Sequence, residues 1–519
     1  MSKMKFEFSD TIAGYVTEFD AEKRIFGLKT TDGREFSVKI SANCYARITR
    51  NLGEPPLDCT GQMTELLEPG RYLFVYGTFY PQGDTHAYEA QVINFPGRKK
   101  DKFRFEESDW WIKQAKNISD FFIKAQFGDE NHIDYRKYRT QISLAGEKSE
   151  TLRQETDTIS RLVFGFASTF LLTGEDKYLE AAEKGTAYLR EHMRFYDLDE
   201  NIVYWYHGID VKGDNEHKIF ASEFGDDYDA IPMYEQIYAL AGPTQTYRIN
   251  GDPTIMKDIK MTIDLFDRFF HDEKQDGYFS HIDPITLDPR SEGLGHNRAR
   301  KNWNSVGDHA PAFLINLWLA TGDRKHKEFL TYCADCIAKY FPDYENSPFV
   351  QERFFEDWSH DKTWGWQQNR AVIGHNLKIA WNLMRINSLE SKENYVELAK
   401  KIAEVMPDVG MDQQRSGWYD VMERDLGEGQ EFNRFAWHDR KAWWQQEQSI
   451  LAYQILYGIL KDPEYLRLAR ESAAFYNTFF LDHMDGAVYF NVFTNGLPFL
   501  LGTERFKGSH SMSGYHSIE

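Results

Sequence analysis

Positive charge is in short supply. Against 81 Asp and Glu the chain sets 61 Lys and Arg, a formal charge of −20, and its isoelectric point is near 5.3. Polyanion binding rests on basic side chains meeting phosphates, so no nucleic-acid partner is expected. Cysteine is scarcer still. Cys44, Cys59, Cys333 and Cys336 give no disulfide framework. The C-x-x-C pair at 333 and 336 lies in a helical pattern without a second pair or a histidine pair, and reads as thiols buried on one helix face. No stretch approaches the roughly 18 apolar residues of a membrane span, and MSKMKFEFSD has no apolar core of a signal peptide. No membrane partner and a cytoplasmic location are the expectations. There is no H-E-x-x-H motif, so no metal is expected.

Aromatics are plentiful at 15 %, with 13 Trp and 29 Tyr, which suits sugar faces as well as helix packing. Residues 1–104 read as a small β domain, an OB-like barrel or a sandwich. Alternating segments such as RIFGLKTT, EFSVKI and RYLFVYGTFY are separated by TDGRE, EPG and PQGD turns. After PGRKKDKFR the apolar period changes to 3.6, and residues 105–519 read as helical.

The helical part repeats itself. LTGEDKYLEAA, INGDPTIMKDI, ATGDRKHKEFL, SLESKENYVELA and LKDPEYLRLA each place a polar turn between two helices, at intervals of about 70 residues. Such a unit holds an α-hairpin and one long loop, and about 410 residues hold six units. Solenoid repeats are shorter, so the expected architecture is mainly α, an (α/α)6 barrel with its long loops at one mouth and a small β domain ahead of it. Inner helices should start near 155, 228, 306, 374, 442 and 515.

At those starts stand Arg161, Tyr228 with Asp229, His309, His375, Trp443 with Trp444, and His516. One histidine on an apolar face is ordinarily a satisfied core residue. Three at equivalent places in a repeat, with an arginine and paired tryptophans, point instead to a site. Imidazole titrates near pH 6.5, so its neutral form can take a carbon-bound proton beside a carbonyl and return it. Inversion needs a base on each face of a flat enediolate, and an arginine can steady the oxyanion.

These segments resemble the N-acylglucosamine 2-epimerase superfamily, from about residue 110 to 519. ISRLVFGFASTFLLTGEDKYLEAA is similar to its first inner helix, which implies that Arg161 binds substrate. NWNSVGDHAPAFL implies a ligand-contacting His309. NRAVIGHNLKIAW resembles the G-H motif of one catalytic base, His375, and GYHSIE the motif of the second, His516, with His510 the lesser choice. KAWWQQEQ implies a sugar platform of Trp443 and Trp444. The resemblance implies an (α/α)6 barrel that epimerises or isomerises the reducing end of a mono- or oligosaccharide through a cis-enediolate, without a cofactor.

Three departures qualify it. Lys378 and Gln448 stand where the family carries glutamates, and Glu447 is rotated by about 100° from the position of Gln448. A lysine one turn from His375 holds that ring neutral, or receives an anionic or otherwise modified substrate. Only three residues follow His516, so the last inner helix is expected to be missing, either because the polypeptide was cut or because another copy or segment fills the gap. Two other readings stand beside this one. Glu223, Asp226, Asp227 and Asp229 in the EFGDDYD segment offer carboxylates for a glycoside hydrolase or lyase on the same architecture. The third is a non-catalytic carbohydrate-binding relative.

Overall fold

The alternating segments form six strands: β1 Phe8–Asp20, β2 Ile25–Lys29, β3 Glu35–Ile48, β4 Leu57–Asp58, β5 Tyr72–Gln82 and β6 Thr85–Phe95. They pair in the order β2-β1-β5-β6-β3-β4, and an added β2 to β3 ladder closes the sheet on itself. Only β3 and β6 run parallel. Five closed strands with the short helix Met63–Leu66 ahead of β5 give the connectivity of an OB-type barrel rather than a sandwich. Closure needs close backbone approach at Gly77, where a Cβ would meet the Glu89 carbonyl oxygen at 2.4 Å. Ile12, Val16, Phe26, Leu28, Val38, Leu73 and Ile93 fill the interior.

The computed structural model describes residues 6–83, 85–128, 132–223, 225–302, 309–363 and 369–519. Helices follow the barrel in pairs: α1 Trp110–Phe127 and α2 Thr156–Thr173, α3 Asp176–His192 and α4 Met233–Asn250, α5 Pro253–Leu265 and α6 Pro311–Thr321. Then come α7 Arg324–Tyr340 and α8 Ile373–Leu389, α9 Glu393–Gly410 and α10 Trp443–Leu460, and α11 Pro463–Phe475 with the single turn α12 Tyr515–Ile518. The recurring polar turn has one local solution. Gly174, Gly251 and Gly322 end α2, α4 and α6 in the left-handed region, with φ of 72°, 67° and 63°. Asp252, Asp323 and Asp462 then cap the next helix by accepting from the backbone N–H two residues on.

The even helices are the buried members of the pairs; α2 is covered without a break from Thr156 to Ala167. Ahead of each of α2, α4, α8 and α10 lies a strand of two or three residues, paired antiparallel with the segment after the next odd helix: 153–155 with 208–210, 231–232 with 281–282, 370–372 with 421–423, and 441–442 with 491–492. Polar residues early in these helices bind that segment. Gln236 exchanges two hydrogen bonds with the Trp205 backbone, at 2.8 and 2.9 Å, and Gln446 does the same with Trp418, both at 2.8 Å. Part of the polarity at these helix heads is therefore structural.

Four of the expected starts fall within one residue of α2, α8, α10 and α12. The start expected near 228 is observed at Met233, because Asp229 turns the chain with φ 59° and Ile231–Pro232 are spent as strand. The start expected near 306 lies outside the described residues.

The chain parts into two compact units. One comprises Met1–Asn117, Met406–Asp420 and Trp437–Arg505; the other Ile118–Val405, Val421–Ala436 and Phe506–Glu519. Within the first, the OB-type barrel is fixed to α11. Phe74 lies edge-on to Phe475 and Phe479. Glu471, with its side chain 1 % exposed, accepts from Tyr15 at 2.8 Å, Thr31 at 2.9 Å and Arg467 at 2.6 Å.

Candidate active site

The second unit gathers the heads of α2, α4, α6, α8 and α12. Spacings of three and four residues put Asp157 and Arg161, Tyr234 and Tyr238, His375 and Lys378, and Tyr515, His516 and Glu519 on shared helix faces. His309, two residues ahead of α6, is buried. Its Nδ1 lies 2.8 Å from Tyr238 Oη, and its ring meets that of His375 nearly perpendicularly at 5.7 Å between centroids. Tyr234 faces the same imidazole edge-on at 4.6 Å.

Arg161 has its side chain 1 % exposed, with Asp157 Oδ2 at 3.4 Å. Its guanidinium lies over the Tyr238 ring at 3.7 Å and donates to Tyr234 Oη. A charge this deeply buried is tolerable only with such partners. Lys378 is fully buried; its ammonium donates to Tyr238 Oη at 3.3 Å and lies 3.5 Å from Glu519 Oε1. Glu519 accepts from Tyr515 Oη at 2.8 Å and faces His516 Nδ1 at 3.3 Å.

This environment keeps all three imidazoles neutral at pH 7. Burial pushes His309 well below its ordinary value, and Lys378, Arg161 and His516 add to the effect. Burial does the same to His375, followed by His309, Arg370, Lys378 and Arg424. His516 is pushed down to about 4 by burial, with Lys378 and Arg161 contributing, while the bond to Glu519 opposes them. Neutral imidazole is the form that accepts a proton.

The structure thus brings together Arg161, His309, His375, Lys378 and His516. Tyr228, 69 % exposed, and Asp229 lie on the turn before α4, and His510 is exposed. Trp443 and Trp444 open α10 in the other unit, where Trp443 packs on Phe490 at 4.5 Å. Gln448 is buried, and the neighbouring Glu447 accepts from Tyr476 Oη at 2.6 Å. Tyr234, Tyr238 and Glu519 belong to the same cluster although no motif marks them. The signals present are a tyrosine pair four apart and a carboxylate three residues after His516. Of the acidic residues in EFGDDYD, Glu223 is bound to Arg153 and Asp227 to His281 at 2.5 Å.

A second titratable cluster lies at the heads of α2 and α4. His207 Nδ1 is 2.8 Å from Glu235 Oε1. Burial pulls this imidazole down, but Glu235, Glu155 and Asp157 carry it up to about 9. Its folded value exceeds its unfolded value near 6.5, so its contribution to stability is complete below that pH and is lost as pH rises through 9. Melting temperature should therefore fall between pH 6.5 and 9.5. In His207→Gln the melt should start lower and the fall be shallower, as scanning calorimetry would record.

No described helix is long and apolar enough to cross a membrane. A search by sequence among curated proteins finds no match. Solved structures share the fold. A D-mannose isomerase superposes with a TM-score of 0.64 at 18 % identity, over 80 % of this chain and 97 % of that one. The cellobiose 2-epimerase from Spirochaeta thermophila DSM 6192 gives 0.60 at 18 %, over 78 % and 91 %. A family 76 glycoside hydrolase from a bovine Bacteroides thetaiotaomicron strain gives 0.51 at 11 %, over 99 % and 93 %. In sequence, residues 137–498, more than two thirds of the chain and including Arg161, His309 and His375 but not His516, match the profile of N-acylglucosamine 2-epimerase. The chain belongs to the N-acylglucosamine 2-epimerase family.

Proposed function

We propose that this protein is a sugar 2-epimerase or aldose-ketose isomerase that works on the reducing end of its substrate, on helix pairs arranged as an (α/α)6 barrel. The observation that carries the reading is the convergence of His309, His375 and His516, all held neutral, around the cations of Arg161 and Lys378.

One of His375 and His516 removes the proton from C2 of the open-chain aldose. The C–H electron pair forms the C1=C2 bond, and the carbonyl electrons move to O1, giving a cis-enediolate. Arg161 and His309 are assigned to steadying that oxyanion through their N–H donors. Return of a proton to the opposite face of C2, with the carbonyl reformed at O1, gives the epimer; its return to C1, with the O2–H proton passing to O1 and O2 becoming the carbonyl, gives the ketose. The sequence is redox-neutral. The cytoplasm is the proposed location.

The test is proton NMR of D-mannose, D-glucose, D-fructose and cellobiose incubated with the protein in D2O. Deuterium should appear at C2 of an aldose; failure with every reducing sugar tried would count against the reading. Arg161→Lys should lower kcat/KM by about 10- to 100-fold, because an ammonium cannot reproduce the planar stack on Tyr238 together with the bond to Tyr234. Steady-state rates with whichever sugar exchanges would measure it.

A further inference from the structure

The positions three residues beyond the two proposed bases carry opposite charges that meet each other. Lys378 follows His375 on α8, and Glu519 follows His516 at the end of α12. The two side chains are 0 % and 4 % exposed, with the ammonium 3.5 Å from Oε1. The other carboxylate oxygen, Oε2, is the one that faces His516 Nδ1 at 3.3 Å, while Tyr515 Oη holds Oε1 at 2.8 Å. Lys378 also reaches Tyr238 Oη, which in turn bonds His309. One ion pair therefore links the segment bearing His516 to the helix bearing His375.

We infer that Glu519 is the positioning residue for His516 and that Lys378 is its matched counter-charge. The carboxylate accepts the Nδ1 proton of His516, which fixes the ring's orientation and leaves Nε2 as the proton acceptor. Lys378 holds that carboxylate in place, so its charge is engaged within the protein rather than offered to a substrate anion. The assignment rests on His516 being a base, as proposed above. The pair also makes the bases unequal, because a carboxylate backs His516 whereas a lysine stands on the helix of His375. The charged and titratable groups facing His516 are Glu519 on its own segment, Lys378 on α8, Arg161 on α2 and His309 ahead of α6, with the hydroxyls of Tyr238 and Tyr515 around the pair.

The test is the pH profile of kcat/KM for the full chain, with the sugar that shows C2 exchange. Glu519→Gln keeps the shape but removes the charge, so His516 should protonate less readily. Turnover should fall about 10- to 100-fold and the acid limb should move to lower pH. Lys378→Met removes the opposing cation and should move the acid limb to higher pH. A fold-stabilising role alone would not drive the limb in opposite directions. The exchanged pair, Lys378→Glu with Glu519→Lys, should stay as slow as Glu519→Gln while melting closer to wild type than either charge-reversed single variant. The inference is overturned if Glu519→Gln retains the wild-type rate and limb, or if both single variants shift the limb the same way. His516→Ala separates the two levels. If it abolishes turnover while Glu519→Gln is unaffected, only the pairing fails; if it retains full turnover, the assignment of His516 as a base fails with it.

Discussion

Alanine at His375 or at His516 should lower sugar interconversion by about 10²- to 10⁴-fold, the range lost with a positioned acid or base. The loss should not be symmetrical. With two bases on opposite faces of the enediolate, an enzyme lacking one can still deprotonate the epimer whose C2 proton faces the other, but cannot complete the inversion. In D2O, His516→Ala should exchange the proton of one epimer and His375→Ala that of its partner, each without net conversion, and proton NMR of each pure epimer reads this directly. If both variants exchange both epimers at the wild-type rate, the bases lie elsewhere. Free imidazole should restore part of the rate by occupying the space left behind. His309→Gln should be milder, about 10-fold, since an amide can still bond Tyr238 Oη.

Much of the helical scaffold was legible because its period is imposed locally. The turns at Gly174, Gly251 and Gly322 need a left-handed residue followed by a cap, and that chemistry is written in adjacent letters. The start of α4 was misplaced because YDAIPM carries the polar and aromatic letters of a helix head while Ile231 and Pro232 pair as strand. In the site, Arg161, His309 and His375 were read from their place in the repeat. Tyr234 and Tyr238 were not, since tyrosine on a buried helix ordinarily means packing, and nothing local reveals that a guanidinium lies on one ring and an imidazole on its hydroxyl. The meeting of Lys378 with Glu519 joins residues 141 positions apart, and periodicity within one helix carries no information about such a pair.

A different long-range pair should give the largest change in stability. Lys441 is fully buried ahead of α10, with Nζ 3.0 Å from Asp412 Oδ2 and donating to the Ser416 and Thr494 carbonyl oxygens. Asp412 uses Oδ1 to accept from the backbone N–H groups of Gln414 and Arg415, closing the turn after α9. The same device recurs 140 residues earlier, where buried Lys301 lies 2.9 Å from Asp272 Oδ2 and donates to the Glu356 carbonyl oxygen. Burial alone would raise the Asp412 carboxyl, but Lys441 and Arg415 hold it below the usual carboxylate range. Its contribution is thus fully present above the unfolded value near 4 and is lost as pH falls from there through the lower folded value. Lys441→Met strands a buried carboxylate and should cost about 3 to 5 kcal/mol, measured as a lowered urea midpoint for the unit that contains α10. Lys301→Met should produce a similar loss in the other unit. Adding Asp412→Asn to Lys441→Met should recover part of the cost, because the amide oxygen still serves the turn while no charge remains unpaired. If the single variant melted like wild type, water would have to reach Asp412, against a side-chain exposure of 3 %. The R-K-x-W strings at 300–303 and 440–443 would then mark only a repeat in sequence, not a repeated ion pair that holds each short strand to the turn before it.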